Sequence, residues 1–322
     1  MSASVWLAPA KVNLGLRVVG RRPDGYHELE SLFVPLELAD RVEIRIEPAR
    51  EPQVELRLAT AAEGVPSGTE NLANRAALRF LGSARLAARV SIRLEKRIPA
   101  GAGLGGGSSD AGCVLRALAS RFSGALAASH LAALALELGA DVPFFLDPRP
   151  AWVSGIGEAI QPLEDVPGLD LVLVTPAPQL ATADVFRSFD AALTPAGPGR
   201  RMPPLRDGPG RVLIAALANE KADQWGTGSE ELAGLFENDL APVASRLHAG
   251  IERVRAELER LGARAVGMSG SGPTMFGIFP SSEQARAAST RGQFETTDRV
   301  IVTRSSGAPA ESTRPDSSWG VV

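Results

Sequence analysis

At 322 residues the chain has room for two domains of ordinary size, and its 44% hydrophobic and 22% charged content is that of a globular protein. A net charge of −3 argues against a nucleic-acid or acidic-membrane partner, and the single cysteine, Cys113, excludes an internal disulfide. With no apolar run of about 18 residues and no charged-then-apolar signal-peptide start, the composition reads as cytoplasmic, without a membrane partner.

Lysine occurs only at Lys11, Lys96 and Lys221 in a chain that otherwise writes its cations as arginine, and Tyr26 is the single tyrosine. The first hundred residues read mainly as strands. Val12, Leu14, Leu16 and Val18 alternate with other residues, as do Val42, Ile44 and Ile46, then Val54, Leu56 and Leu58, then Val90, Ile92 and Leu94. A period of two marks half-buried strands, expected to pair antiparallel. On the first of them Lys11 and Asn13 lie two apart and share a face. The turn Arg22 to Gly25 leads into Tyr26 and His27, an aromatic ring and an imidazole. Such a pair can stack on a planar base and bond its edge, or merely finish a surface hairpin. Asn71 to Gly82 reads as a helix stopped by its glycine.

The next segment runs Pro99, Ala100, Gly101, Ala102, Gly103, Leu104, Gly105, Gly106, Gly107, Ser108, Ser109. It follows a strand and opens a helix marked by Ala111, Val114, Leu115, Leu118, Ala119 and Phe122. Glycines let backbone approach a ligand closely, and free N–H groups at a helix start favour an anion. Ser108 and Ser109 add hydroxyls for a phosphate oxygen or Mg2+. No Gly-Lys-Ser/Thr closes the loop, so it is not a Walker A motif, and its spacing and context are not those of a dinucleotide fold. A tight connector is the plainer alternative, but five glycines and two serines before a helix favour a phosphate site.

A further helix is signalled by Ser129 as N-cap, Leu131, Leu134 and Leu138 on one face, and Gly139 beyond its end. Asp141 then precedes Pro143 and an apolar run, either closing a turn through its own backbone or serving a site as a carboxylate. Strands are expected at Trp152–Val153 and over 169–174. Residues 187–211, rich in proline, glycine and arginine, read as a loop or linker. Ile251, Val254, Leu258 and Leu261 form a helical stripe closed by Gly262. Met268 to Gly277 places a Ser/Gly turn between strands, as a hairpin or as backbone near a ligand. A last strand falls near 299–303, and 305–322 reads as a disordered tail. The sum is an α+β protein with a boundary near 155–165.

Taken in this order, the segments PAKVNLGLRV (from Pro9), RPDGYHEL (from Arg22), GGGSSDA (from Gly105) and GADVPFF (from Gly139) resemble the GHMP kinase superfamily, over about residues 5–304. They are similar to the branch whose acceptor is a branched polyol carrying cytidine diphosphate, in the non-mevalonate route to isoprenoid precursors. The resemblance implies ATP and Mg2+, transfer to the 2-hydroxyl of that acceptor, and a small-molecule partner with no nucleic acid, the enzyme being monomer or homodimer. It implies a ribosomal protein S5 domain 2-like N-terminal domain over 1–160, a ferredoxin-like C-terminal domain over 161–304, and a site between them. Position by position, Lys11 and Asp141 fall on the catalytic pair, with Asp141 as base, and Pro99 to Ser109 on the ATP phosphate loop. Asn71 falls on the adenosine side, Tyr26, His27 and Phe186 on the cytosine site, and Asn13 and Thr182 on substrate contacts. Two other readings stand beside it. A homoserine or mevalonate type of GHMP kinase has no base for Tyr26 and His27 to stack on, and a non-catalytic nucleotide-binding protein has no use for Lys11 with Asp141.

Overall fold

The computed structural model describes residues 3–60, 64–164, 166–192 and 236–306. The alternating segments are strands of a six-stranded sheet. β1 (Ser4–Arg21) and β2 (His27–Pro48) form a long antiparallel hairpin, its turn closed by Arg22 N–H donating to the Tyr26 carbonyl at 2.7 Å. β2 is long enough to take further neighbours. Its first part pairs β5 (Ala151–Gly155) and its last part β4 (Ala88–Glu95), while β6 (Ala159–Pro162) extends the β5 edge. β3 (Gln53–Leu58) pairs β4 in parallel, against the antiparallel expectation. The chain between them crosses over through α1 (Leu72–Ser83), and such a crossover returns the next strand in the same direction where a tight turn would reverse it.

α2 (Gly106–Arg121) and α3 (Ala128–Leu138) join α1 over this sheet. Phe80, Val114, Leu118 and Leu134 pack with Val42, Ile44, Val90 and Ile92 in one core. The helices lie where periodicity placed them, but two ends differ. Gly82 lies inside α1, because the left-handed position after the helix falls on Arg85 (φ 52°). Ser129 lies inside α3, whose N-cap is Ala127 with no side-chain bond.

A four-stranded antiparallel sheet follows, in the order β10 (Arg299–Arg304), β7 (Asp170–Thr175), β9 (Met275–Phe279), β8 (Ala265–Met268). The unbroken apolar run at 169–174 reflects burial on both faces. Leu171 and Leu173, with Phe276 and Ile278, pack against Val12, Leu14, Leu32 and Val34 of the first sheet. Val172 and Val174 turn the other way, toward α5 (Ala241–Leu247), α6 (Gly250–Arg260) and α7 (Ser282–Arg291). α7 lacks an apolar stripe, because its buried face is made of Ala285 and Ala288, and its sequence signal is the cap, Ser281 accepting from Gln284 N–H.

Residues 187–192, expected in a loop, belong to α4 (Thr182–Ala192), and the rest of that stretch lies outside the described residues. At the far end Ser305 and Ser306 are tied down rather than free. The Ser305 hydroxyl accepts from Leu169 N–H at 2.7 Å, and Ser306 N–H donates to the Pro35 carbonyl at 2.9 Å. The remainder of the expected tail, 307–322, lies outside the described residues. Among the described residues no helix is long and apolar enough to cross a membrane.

Candidate active site

A cavity of about 1100 Å³ is bounded by the β1–β2 hairpin, the glycine loop, the turn between β8 and β9, and α4. The loop is anchored by its non-glycine residues. Ala102 and Leu104 are buried, and the Leu104 carbonyl accepts from Lys11 N–H at 3.0 Å. Gly103 has φ 75°, and a Cβ there would fall 2.2 Å from the Ser269 carbonyl oxygen. Gly105, at φ 72°, is the left-handed N-cap of α2. The first bond of that helix runs from Ser109 N–H to the Gly105 carbonyl at 2.8 Å. The N–H groups of Gly106, Gly107 and Ser108 therefore have no partner within the helix, at the end where its dipole favours an anion. Ser108 lines the cavity, but Ser109 is fully buried and not part of the wall, so only one of the two candidate hydroxyls is placed for a ligand.

Beneath this cradle lies a group that the motifs did not single out. The Lys96 ammonium, on a side chain 6% exposed, is held by the buried Asp40 and Asp110, the latter at 2.6 Å. Burial works against the Lys96 charge, yet the two carboxylates hold its pKa above the ordinary lysine range. Burial drives the Asp110 carboxyl upward against the pull of Lys96, helped by repulsion from Asp40. In the sequence Lys96 was marked by the rarity of lysine and Asp110 by its place in the GGGSSDA segment, while nothing marked Asp40.

Lys11 lies on β1 with its side chain 4% exposed. Its Nζ donates to Asn13 Oδ1 at 2.6 Å, stands 3.4 Å from Asp141 Oδ2, and sits 4.5 Å from the Phe33 ring centroid. Asn13 is oriented in turn, its amide nitrogen donating to Ser31 Oγ at 2.8 Å, and Ser31 donating to the Gly15 carbonyl. Asp141 is 32% exposed, in the turn after α3. That turn closes through Val142 N–H to the Gly139 carbonyl at 3.0 Å, leaving the carboxylate to face Lys11. The apolar run beyond it is an anchor. Phe145 is buried against Gly112 of α2, where a Cβ would come 2.5 Å from the Phe145 Cβ.

At the other end His27, Phe186 and Thr182 come together. Phe186 stacks on the His27 ring, with centroids 4.9 Å apart and planes at 23°. Tyr26 is 59% exposed at the rim. Phe186 therefore keeps one face on His27 and has only the other for a base, a more restricted arrangement than an open slot opposite Tyr26. Thr182 Oγ1 lies 2.8 Å from Ser271 Oγ, tying α4 to the β8–β9 turn. That turn is both a hairpin and a wall, since Gly270 and Ser271 line the cavity and Ser269 Oγ donates to the Gly103 carbonyl at 3.0 Å. Asn238, which no motif flagged, holds it by donating to the Met268 and Gly270 carbonyls at 2.9 and 2.7 Å. Asn71 borders the cavity, but its amide is engaged locally, accepting from Ala73 N–H and donating to the Pro66 carbonyl. Among the described residues no group of three His, Cys, Asp or Glu side chains is arranged for a metal.

The family models for the GHMP kinases N terminal domain and the GHMP kinases C terminal match residues 71–147 and 213–294. The 4-diphosphocytidyl-2-C-methyl-D-erythritol kinase of Anaeromyxobacter dehalogenans is 48% identical over 288 residues, 88% of this chain and 83% of the relative. That of Syntrophotalea carbinolica is 37% identical, covering 88% and 92%. A crystal structure of 4-(cytidine 5'-diphospho)-2C-methyl-D-erythritol kinase superposes with a TM-score of 0.74 at 39% identity, covering 94% of this chain and 99% of the other. A homoserine kinase from Cytophaga hutchinsonii, at TM-score 0.68 and 20% identity over 97% of both chains, shares the fold.

Proposed function

The chain belongs to the GHMP kinases, and from that premise we propose that it transfers the γ-phosphoryl group of ATP to the 2-hydroxyl of 4-diphosphocytidyl-2-C-methyl-D-erythritol. The observation that carries this reading is the Lys11–Asp141 pair, 3.4 Å apart, in the same cavity wall as the free N–H end of α2. Phosphoryl transfer passes through a loose transition state, so the protein's work is positioning and charge neutralisation. The N–H groups of Gly106, Gly107 and Ser108 receive the phosphates. Asp141 orients the acceptor hydroxyl and takes its proton as the bond to phosphorus forms. Lys11, itself fixed by Asn13, holds the carboxylate in place and balances charge near the transferred group.

The residues at the cradle fit Mg2+. The Ser108 hydroxyl and the Asp110 Oδ1, which is buried with no protein partner among the described residues, are hard oxygen donors of the kind this ion takes beside nucleotide phosphates. When bound, the ion would offset phosphate charge. His27, Phe186 and Tyr26 give the far end a surface for a planar base. The test is ATP consumption by the purified protein with the cytidine-bearing alcohol and with the same alcohol lacking the nucleotide. Turnover is expected with the first alone. Turnover with homoserine or mevalonate, and none with the cytidine compound, would replace this reading with another member of the family.

A further inference from the structure

Helix α4 presents Phe186, Phe189 and Asp190, spaced i, i+3 and i+4 and so on one face, to a single imidazole. Phe186 stacks on the His27 ring, Phe189 meets it edge-on with centroids 6.1 Å apart, and Asp190 Oδ1 lies 2.7 Å from Nε2. Arg21, opposite His27 in the hairpin register, places Nη1 3.6 Å from the second Asp190 oxygen. The ring is thus held on a face, on an edge and at one nitrogen, with its side chain 8% exposed. A histidine that only finishes a hairpin needs none of this.

We infer that Asp190 is a positioning residue for base recognition: it fixes the Nε2–H tautomer of His27, so that Nδ1 meets the bound base as an acceptor and selects cytosine over uracil. The assignment deepens the cytidine reading proposed above and rests on it. An ionised carboxylate only accepts, so the imidazole nitrogen bonded to it carries the hydrogen. In the neutral ring the other nitrogen then presents a lone pair. Among the described residues no protein group bonds Nδ1, while His27 and Asp190 both line the cavity. Cytosine can donate to Nδ1 from its 4-amino group. Uracil carries a carbonyl oxygen at that position and would set lone pair against lone pair. Asparagine at 190 would loosen the rule, because an amide can turn either its oxygen or its NH2 toward Nε2 and so accept both tautomers.

The test combines kinetics with 15N NMR of the imidazole nitrogens. Wild-type protein should prefer the cytidine substrate over its uridine analogue by about 100-fold or more in kcat/KM, as a site built to hydrogen-bond one group rejects its replacement. In Asp190→Asn that preference should fall about tenfold or more, while kcat on the cytidine substrate stays within about threefold. NMR should show His27 protonated at Nε2 in the wild type and a tautomer mixture in the variant. A smaller fall in preference, or equal loss of turnover on both substrates, overturns the assignment. So does a wild-type His27 that carries hydrogen at Nδ1, a result that needs no variant to fold. If the wild type turns over neither substrate, the cytidine reading falls separately, and the tautomer still decides what Asp190 does to His27.

Discussion

Lys11 touches Asn13, Asp141 and the Phe33 ring at once, so neighbouring substitutions should separate chemistry from support. Asp141→Ala is expected to lower kcat by about 10²–10⁴-fold while ATP affinity by calorimetry is nearly unchanged, since the carboxylate acts on the acceptor. A variant keeping more than about a tenth of wild-type kcat would remove Asp141 from that role. Lys96→Met tests the buried charge group instead. It leaves Asp40 and Asp110 without their cation and should cost about 3–5 kcal/mol at neutral pH, read from urea unfolding. Asp110 already has a raised folded-state pKa, so between its unfolded and folded values the native state holds the proton and stability falls as pH rises. Without Lys96 that window extends upward from about 8, so the deficit of the variant should stay flat between about 5 and 8 and grow as pH rises above about 8. A deficit independent of pH would mean that the loss is one of packing.

Within the glycine loop the structure divides work that composition alone runs together. Gly103→Ala drives a methyl group into the Ser269 carbonyl, a backbone atom with little freedom to move. It should lower stability and abolish measurable ATP binding. Gly107 is helical, and its nearest neighbour to a Cβ is Leu72 Cδ1 at 3.6 Å. Gly107→Ala should fold and raise stability by up to about 1 kcal/mol through helix propensity, as thermal melts would show. Unfolding of that variant would contradict the helical start of α2. The proposed phosphate cradle could be suggested from five glycines leading into a helix, because that inference is local. Which glycine is indispensable was not legible, since the atom that excludes a side chain at Gly103 belongs to a residue in the other half of the chain. Strand alternation likewise reports which face is buried and not which way a partner runs, so the parallel β3–β4 pair escaped it. His27 beside Tyr26 suggested a recognition pair or a hairpin end, but the role proposed for Asp190 depends on a helix packing across the hairpin.

The two sheets share the core built on Val12, Leu14, Leu171 and Phe276, and the cavity opens where their connecting turns meet. Asn238 is one fastening of that meeting place. It bonds two carbonyls of the β8–β9 turn and accepts from Leu240 N–H, and its residue bridges to Leu16 of β1. Asn238→Ala should cost about 1–3 kcal/mol for each carbonyl left buried and unbonded, visible as a lowered Tm. It should also reduce kcat/KM, because Gly270 and Ser271 of the cavity wall lose the side chain that holds their turn. Full stability and full activity together would mean that the turn holds itself.

The bonds at residues 303–306 have a consequence for synthesis. Thr303 Oγ1 accepts from Leu38 N–H and Ser306 N–H donates to the Pro35 carbonyl, so the end of the described chain stitches the first sheet to the second. Chains emerge from the ribosome N-terminus first, and domains fold in that order. The hairpin bearing Lys11, His27 and the phosphate cradle is available early, but its seam with the second sheet stays open until these last residues are free. A chain stalled short of residue 303 would carry every residue proposed for catalysis, and the Asn238 and Ser269 bonds at the cavity, yet lack this seam between the two sheets.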